Sequence, residues 1–176
     1  MDVGFLQWLA GFVDGDGSIW ITLRETKTRH SYLAINAGLT ISQKSDYRWI
    51  NEYVQKQLGG IGKIYQSGVY GTAYSKSSWQ TTKMAETIYV LELIEPFLVI
   101  KKEQAKKVII CLKKWIETCQ PVAERWKGKK LRKRSMVMEI VDIATHLNQN
   151  MRGGSRYRGY KDFAYWKPLI EQWYPE

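Results

Sequence analysis

The most constraining feature of this 176-residue chain is a glycine-rich stretch, residues 9–17, at which a helical pattern gives way to a strand pattern. Residues 5–14 are apolar and rich in helix formers, and Gly15 and Gly17 predict the end of that helix. Polar and apolar residues then alternate over 18–24, which is typical of a half-buried strand. A helix followed so closely by a strand favours an architecture that mixes both.

The same two periodicities continue along the chain. A polar loop over residues 25–31 separates the first strand from a second one at 32–43, so the pair is predicted to form a hairpin. Further helices are predicted at 45–58, 83–94, 102–118, 136–148 and 163–173, and further strands at 61–67 and 72–81. The order α-β-β-α-β-β-α, followed by C-terminal helices, predicts an α+β fold with an antiparallel sheet and helices on one of its faces.

The chain is basic, because 27 Lys and Arg against 17 Asp and Glu give a net charge of +10. Residues 127–161 hold ten basic residues against only Glu139 and Asp142, so this segment carries +8. A surface of this kind attracts phosphate polyanions through counterion release, and a merely solvated surface is the alternative. Since no apolar run approaches the roughly 18 residues that span a membrane, no membrane partner is expected.

The two cysteines, Cys111 and Cys119, predict the compartment. If both lie on one helix they are about 12 Å apart along its axis, which is too far for a disulfide. We therefore expect buried thiols in a reducing compartment. Together with the absence of a signal-peptide pattern at the N-terminus, this predicts an intracellular protein, cytoplasmic or nucleoid-associated, with an organelle left open. His30 and His146 stand alone and are expected to be structural or surface residues.

Residues 11–16 carry the features with chemical meaning. Gly11 and Gly15 are four positions apart, so they share one helical face and allow another helix to approach closely. Asp16 is predicted to lie just past the helix end, beside carbonyl groups that the helix leaves unused. Such an oxygen-rich place suits a hard cation such as Mg²⁺, whereas a simple helix cap followed by a glycine turn is the alternative.

Leu-Ala-Gly-Phe-Val-Asp-Gly-Asp-Gly at residues 9–17 resembles the signature of the LAGLIDADG homing endonucleases. Residues 40–49 resemble the strand end and helix start that bring a polar active-site residue beside the metal, and residues 96–105 resemble the segment that supplies the active-site lysine. The resemblance implies the αββαββα homing-endonuclease fold, in which an antiparallel saddle covers the DNA. We expect an endonuclease core at residues 1–120 and a basic helical extension at 121–176 packed on the same domain.

The resemblance also implies roles for individual residues. Asp16 matches the essential metal-binding carboxylate, and the carbonyl of Gly15 is expected to face the same cation. That cation is expected to be Mg²⁺, or another hard divalent ion such as Mn²⁺ or Ca²⁺. Gln43 matches the residue that positions solvent near the scissile phosphate, and Lys101 matches the lysine that polarises water or stabilises charge. These three side chains, Asp16, Gln43 and Lys101, are the predicted catalytic group.

Because the signature occurs once, the resemblance implies a homodimer that pairs through this helix, whereas relatives with two copies are monomers. Two-fold symmetry would place Asp16 beside its copy, facing two scissile phosphates of double-stranded DNA. The expected result is a double-strand break in a long, roughly palindromic target. The expected interface residues are Ala10, Gly11, Asp14 and Gly15.

Outward-facing residues of the two hairpins are the expected DNA contacts, since a β-ribbon fits the major groove, where the base code is complete. They are Trp20, Thr22, Arg24, Thr26, Thr28, Arg29, Asn36 and Thr40, then Tyr65, Ser67, Tyr74, Lys76 and Ser78. The basic run is expected to contact phosphates through Lys129, Lys130, Arg132, Lys133 and Arg134. A solvated sheet face and, for the basic run, a nuclear-import signal are the alternatives.

Two questions stay open in the sequence. Tyr47 stands where some relatives have an active-site arginine, and whether Arg48 serves instead is undecided. An RNA maturase that assists splicing of its own intron, or a catalytically silent DNA-binding protein on the same scaffold, are the alternative functions. The presence of Asp16, Gln43 and Lys101 together argues against the silent protein.

Overall fold

A computed structural model describes the backbone of residues 1–26, 32–68, 75–117, 133–151 and 161–174. Within these ranges the α-helices are α1 Val3–Asp16, α2 Arg48–Gln57, α3 Met84–Ile94, α4 Lys102–Glu117, α5 Arg134–Met151 and α6 Phe163–Trp173. The strands are β1 Gly17–Thr26, β2 Tyr32–Lys44, β3 Lys63–Ser67 and β4 Lys76–Gln80. Short 3-10 turns, Ser45–Tyr47 and Glu95–Phe97, precede α2 and follow α3. The predicted order of helices and strands is confirmed.

Helix α1 begins with a side-chain cap and ends at a crowded glycine. The carboxylate of Asp2 accepts hydrogen bonds from the backbone N–H groups of Gly4 and Phe5, both at 3.2 Å. The helix continues through Gly15 to Asp16, so the prediction that Asp16 lies beyond its end is wrong. The chain turns only at Gly17, where a Cβ would lie 2.7 Å from the Cα of Val13. The passage from helix to strand therefore needs glycine at position 17.

The four strands form one sheet in the order β1-β2-β4-β3. Strands β2 and β4 pair in antiparallel fashion with Ile41 opposite Trp79, and β3 pairs with β4 in the same sense. On the inner face Ile41 and Trp79 are fully buried, and Asn51 of α2 donates to the hydroxyl of Ser77 at 3.0 Å. The opposite face, here called the outer face, carries Thr40, Ser42 and Lys44 of β2. The predicted α+β class and antiparallel sheet are confirmed.

The chain forms two compact units. The first unit holds residues 1–20 and 37–109, and the second holds residues 21–36 and 110–176. The outer end of the first hairpin is thus grouped with the C-terminal helices rather than with the rest of the sheet. The expected division into residues 1–120 and 121–176 stays a prediction, because residues 118–132 lie outside the described part of the chain.

Hydrogen bonds of Tyr174 and Arg134 link separate segments of the second unit. The Tyr174 hydroxyl accepts a hydrogen bond from the backbone N–H of Leu33 at 3.2 Å, and its carbonyl accepts one from Nε of Arg134 at 2.8 Å. Cys111 is buried in the same unit, and this burial raises the pKa of its thiol to about 12. The predicted burial of the Cys111 thiol is confirmed, whereas Cys119 lies outside the described residues.

Membrane insertion was not expected from the sequence. Among the helices that the structure describes, none combines the length and the apolar character that crossing a bilayer requires.

Candidate active site and nucleic-acid interface

Asp16 and Gln43 meet at the junction of α1 and the sheet. Asp16 is the last residue of α1 and is exposed, and Gln43 is the penultimate residue of β2. The side-chain amide of Gln43 donates a hydrogen bond from Nε2 to Oδ2 of Asp16 at 3.3 Å. Residues 27 positions apart in the sequence therefore share one site.

Lys101 lies at the same helix end. Its Nζ donates to the carbonyl oxygens of Val13 at 2.7 Å and Asp14 at 2.6 Å. The carbonyl of Val13 also accepts the N–H of Gly17. Carbonyls at the end of a helix carry partial negative charge, which explains why a cation is held there. The ammonium of Lys101, from outside the helix, thus takes up two of the carbonyls that were predicted to lie beside Asp16. All three predicted catalytic side chains nevertheless gather at the end of α1.

The carboxylate of Asp14 fixes the segment that carries Lys101. Its Oδ2 accepts the backbone N–H groups of Val99 at 2.7 Å and Ile100 at 3.2 Å, and its Oδ1 accepts that of Lys101 at 2.8 Å. Partial burial raises the pKa of Asp14, but the three N–H donors and the charge of Lys101 outweigh it and hold that pKa below its usual value.

The outer face of the sheet presents polar side chains in rows that the strand register defines. In one row Tyr65, Ser78 and Ser42 are neighbours, and Oγ of Ser78 lies 2.7 Å from Oγ of Ser42. The adjoining rows run through Ser67, Lys76 and Lys44, and through Lys63, Gln80 and Thr40. The Lys44, Lys63 and Lys76 side chains are exposed, so the face is positively charged.

The profile of the LAGLIDADG endonuclease family matches residues 9–91. The DNA endonuclease I-CreI of Chlamydomonas reinhardtii is 29% identical over 105 residues, which are 60% of this chain and 60% of the relative. The DNA endonuclease I-CvuI of Chlorella vulgaris is 34% identical over 119 residues, 65% of this chain and 67% of the relative. The chain belongs to the LAGLIDADG endonuclease family. The match spans 60% of the length of I-CreI and 67% of the length of I-CvuI.

A crystal structure of I-CvuI with a DNA target extends this LAGLIDADG likeness to the fold. It has a TM-score of 0.67 and 25% sequence identity, and covers 87% of this chain and 85% of that chain. That complex was formed in 2 mM Mg and its DNA was not cleaved. The predicted homing-endonuclease fold is confirmed.

The helix face that LAGLIDADG proteins share is only partly as predicted. Gly11 and Gly15 are exposed, and a Cβ built at either would meet nothing within 4 Å in this chain. Ala10 is fully buried in its own core, so its assignment to the subunit interface is wrong. Asp14 is half-buried and its carboxylate accepts backbone N–H groups of residues 99–101, so its place at the subunit interface stays a prediction. Of the predicted interface residues, Gly11 and Gly15 are thus the exposed ones.

Several predicted DNA contacts take other positions. The hydroxyl of Thr26 is buried, so it does not face solvent as predicted. Arg134 donates to the carbonyls of Tyr174 and Glu171 and caps α6, while Lys133 is exposed. The predicted contacts outside the described residues are Thr28, Arg29, Tyr74, Lys129, Lys130 and Arg132.

The remaining predicted contacts have the exposure that DNA binding needs. In the second unit Arg24 and Asn36 are exposed, and the hydroxyl of Thr22 donates to the carbonyl of Asn36 at 3.4 Å. In the first unit Tyr65, Ser67 and Lys76 are exposed, and the half-buried members are Trp20, Thr40 and Ser78. Their roles stay predictions.

Sequence reasoning missed three residues of the outer face and also the role of Asp14. Lys44, Lys63 and Gln80 share the period-two parity of Thr40, Tyr65 and Ser78, so the alternation alone could have found them. Asp14 left a weaker signal. Residues 98–101 are Leu-Val-Ile-Lys and offer no local side-chain acceptor for the N–H groups before α4.

Asp16 is the acidic side chain of the site that is open to a hard cation. Mg²⁺ takes about six oxygen ligands, often including waters and substrate phosphates. Among the described residues, no group of three or more His, Cys, Asp or Glu side chains is placed to hold a metal. Asp16 offers an exposed carboxylate, whereas Asp14 is occupied by backbone donors.

Proposed function

We propose that this protein is a sequence-specific homing endonuclease that makes a metal-dependent double-strand break in a long, roughly palindromic DNA target. The observation that carries the proposal is the meeting of Asp16, Gln43 and Lys101 at the end of α1. The relatives I-CreI and I-CvuI are named DNA endonucleases, and I-CvuI was crystallised on a DNA target. A DNA substrate also favours an intracellular site of action, whether cytoplasm, nucleoid or organelle.

Each member of the catalytic group has a distinct part in phosphodiester hydrolysis. Asp16, together with the carbonyl of Gly15, would hold Mg²⁺ or another hard divalent cation. When bound, such an ion supplies Lewis-acid stabilisation of phosphate charge and lowers the pKa of water. Gln43 retains a second amide hydrogen and a carbonyl oxygen with which to orient a water molecule. Lys101 places a fixed positive charge beside the scissile group, where negative charge develops.

The basic group near Tyr47 is a separate question. Nε of Arg48 donates to Oε1 of Glu52 at 2.7 Å, and both side chains are about half exposed. An exposed pair of this kind is weak, so DNA phosphate can compete for Arg48. Tyr47 is half exposed at the start of α2 and has no charge to offer.

Two copies of the chain are needed for two cuts. The signature occurs once, so one chain supplies one Asp16 carboxylate. Gly11 and Gly15 leave a helix face on which a second α1 can pack closely, since no side chain intervenes. A two-fold axis along this contact brings two Asp16 side chains together, and each serves one DNA strand.

The outer face is proposed to lie on the DNA. Its rows of hydroxyl, amide and tyrosine groups suit base edges, while Lys44, Lys63 and Lys76 suit phosphates. The predicted phosphate contacts at residues 129–134 would extend this surface. Affinity that falls steeply with salt is the expected mark of such contacts.

Selection from a randomised duplex DNA library tests the proposal. The protein is incubated with the library in Mg²⁺ or in EDTA, and both the retained and the cut molecules are sequenced. One recurring long sequence, cut only with the metal, is the expected result. Retention without cutting under any divalent ion would indicate a silent DNA-binding protein. Stimulated splicing of an intron RNA without DNA cutting would indicate a maturase.

A further inference from the structure

Trp20 lies across the outer face in an unusual way. It belongs to β1, yet its Nε1 donates a hydrogen bond to Oγ1 of Thr40 on β2 at 2.9 Å. Its ring also covers Gly38, where a Cβ would lie 2.6 Å from Cζ2 and 2.9 Å from Cε2 of the indole. Gly38 is buried although its parity is that of the outer face. The indole therefore fits only because position 38 has no side chain.

The hydrogen bond sets the chemistry that Thr40 can offer. An indole N–H is a donor only, so Thr40 must accept it with one lone pair of its hydroxyl. The hydroxyl proton is then directed elsewhere, and Thr40 is half-buried rather than enclosed. Thr40 is thereby prepared to donate a hydrogen bond, while the partly exposed indole beside it offers an apolar edge.

One base presents the complementary pair of groups. In the major groove, thymine shows the O4 acceptor next to the C5 methyl group, whereas cytosine shows a donor at the corresponding position. Resting on the proposed DNA-binding function, we infer that Trp20, Gly38 and Thr40 form a specificity-determining element that selects thymine at one position of each half-site. Thr40 donates to O4, Trp20 contacts the methyl group and fixes Thr40, and Gly38 admits the ring.

The alternative is a purely structural cover for the strands. Large apolar side chains of β1 that build the core, such as Ile19, point to the inner face and are fully buried. Trp20 is half-buried and lies on the outer face, which also carries Lys44, Lys63 and Lys76. A core-building role for Trp20 does not require its indole N–H to donate a hydrogen bond to Thr40, which lies on the same outer face.

Sequencing the molecules retained from a randomised duplex library, in Ca²⁺ or EDTA, tests the element. The variants are Trp20→Phe, which keeps a ring without the donor, Thr40→Val, which keeps the shape without the hydroxyl, and Gly38→Ala, which displaces the ring. Trp49→Phe, at an α2 side chain that is 62% exposed, is the matched control. Melting temperatures show which variants are folded. If Gly38→Ala does not fold, Trp20→Phe and Thr40→Val decide the test.

The expected result is a thymine preference at one symmetric pair of positions in the wild-type target. Each of the three variants relaxes that preference, on the order of ten-fold, with other positions unchanged. The Trp49→Phe profile matches wild type. Unchanged profiles in Trp20→Phe and Thr40→Val, or effects of the two at different positions, would overturn the inference. A wild-type protein that selects no DNA at all would instead refute the proposed function.

Discussion

Asp14 and Lys101 hold each other at two points: the carboxylate of Asp14 accepts the backbone N–H of Lys101 at 2.8 Å, and its carbonyl accepts Nζ of the same lysine at 2.6 Å. The end of α1 and the segment before α4 are thus fixed to one another, 87 positions apart in sequence. Asp14 is therefore a positioning residue for Lys101, and it stands two residues before the proposed metal carboxylate.

Replacing Asp14 with Asn should weaken both the fold and the site. The substitution removes the negative charge that accepts three backbone N–H groups. The free energy of unfolding is therefore expected to fall by about 1–2 kcal/mol for this partly exposed group. DNA cleavage should fall more than DNA affinity, because Lys101 loses its fixed position. Chemical denaturation and a cleavage assay on one target measure the two effects. Asp46→Asn, at an exposed carboxylate, serves as the control, and equal loss in both variants would contradict the assignment.

The same carboxylate predicts a pH dependence. Because the pKa of Asp14 is lowered below 3.8 in the folded state, its stabilisation is complete above that value and is lost as pH falls through the folded pKa. The stability difference between wild type and Asp14→Asn should therefore be largest near neutral pH and shrink below about pH 4. Denaturation curves of both proteins at several pH values give this difference. A difference that stays constant into acid would show that the charge of Asp14 is not responsible.

Lys101→Met should separate cleavage from binding. The variant removes the cation from the carbonyls of Val13 and Asp14 beside the reacting groups, so the cleavage rate is expected to fall by roughly 10²–10³-fold. Affinity for uncut target should change only a few-fold, since many other contacts hold the DNA. Single-turnover cleavage and filter binding provide the two numbers. Lys102→Met is the neighbouring control, and a matching loss of cleavage there would count against Lys101.

The features of the fold and the site that the sequence predicts are those that depend on residues close together in the chain. Alternation placed Lys76 and Ser78 on the outer face, because period two is a property of the strand itself. The end of α1 was missed by two residues, since Gly15 is an ordinary helical residue and the real constraint is the crowding of Gly17 against Val13. The carboxylate of Asp14 could not be placed, because its partners lie 85 to 87 positions away.

The sequence did not show which small residues of α1 are buried in the core of their own chain and which are exposed. Ala10 and Gly11 are adjacent, yet Ala10 is fully buried in the core and Gly11 is exposed. An apolar helix of mixed small residues does not reveal which of them its own chain covers. Only the packing of α1 in the first unit separates the core positions from the open glycine face.

The glycines of α1 predict opposite effects on substitution. A Cβ at Gly11 meets nothing within 4 Å, so Gly11→Leu should leave the stability of a single chain nearly unchanged while abolishing dimerisation. Gly17→Ala should instead destabilise each chain by about 1–3 kcal/mol, because its Cβ would overlap the Val13 backbone. Light scattering and thermal melting distinguish the two. A normal dimer in Gly11→Leu would place the subunit contact elsewhere.

The most direct test of paired Asp16 sites is cleavage of a supercoiled plasmid bearing the selected target by dimers that contain one wild-type and one Asp16→Asn chain. Differently tagged chains are co-expressed, and the mixed dimer is purified through both tags. In Mg²⁺ the mixed dimer should convert the plasmid to nicked circles, while the wild-type dimer makes linear DNA and the double Asp16→Asn dimer makes neither. Linear DNA from the double-variant dimer, or from the mixed dimer at the wild-type rate, would contradict the claim that each Asp16 serves one strand.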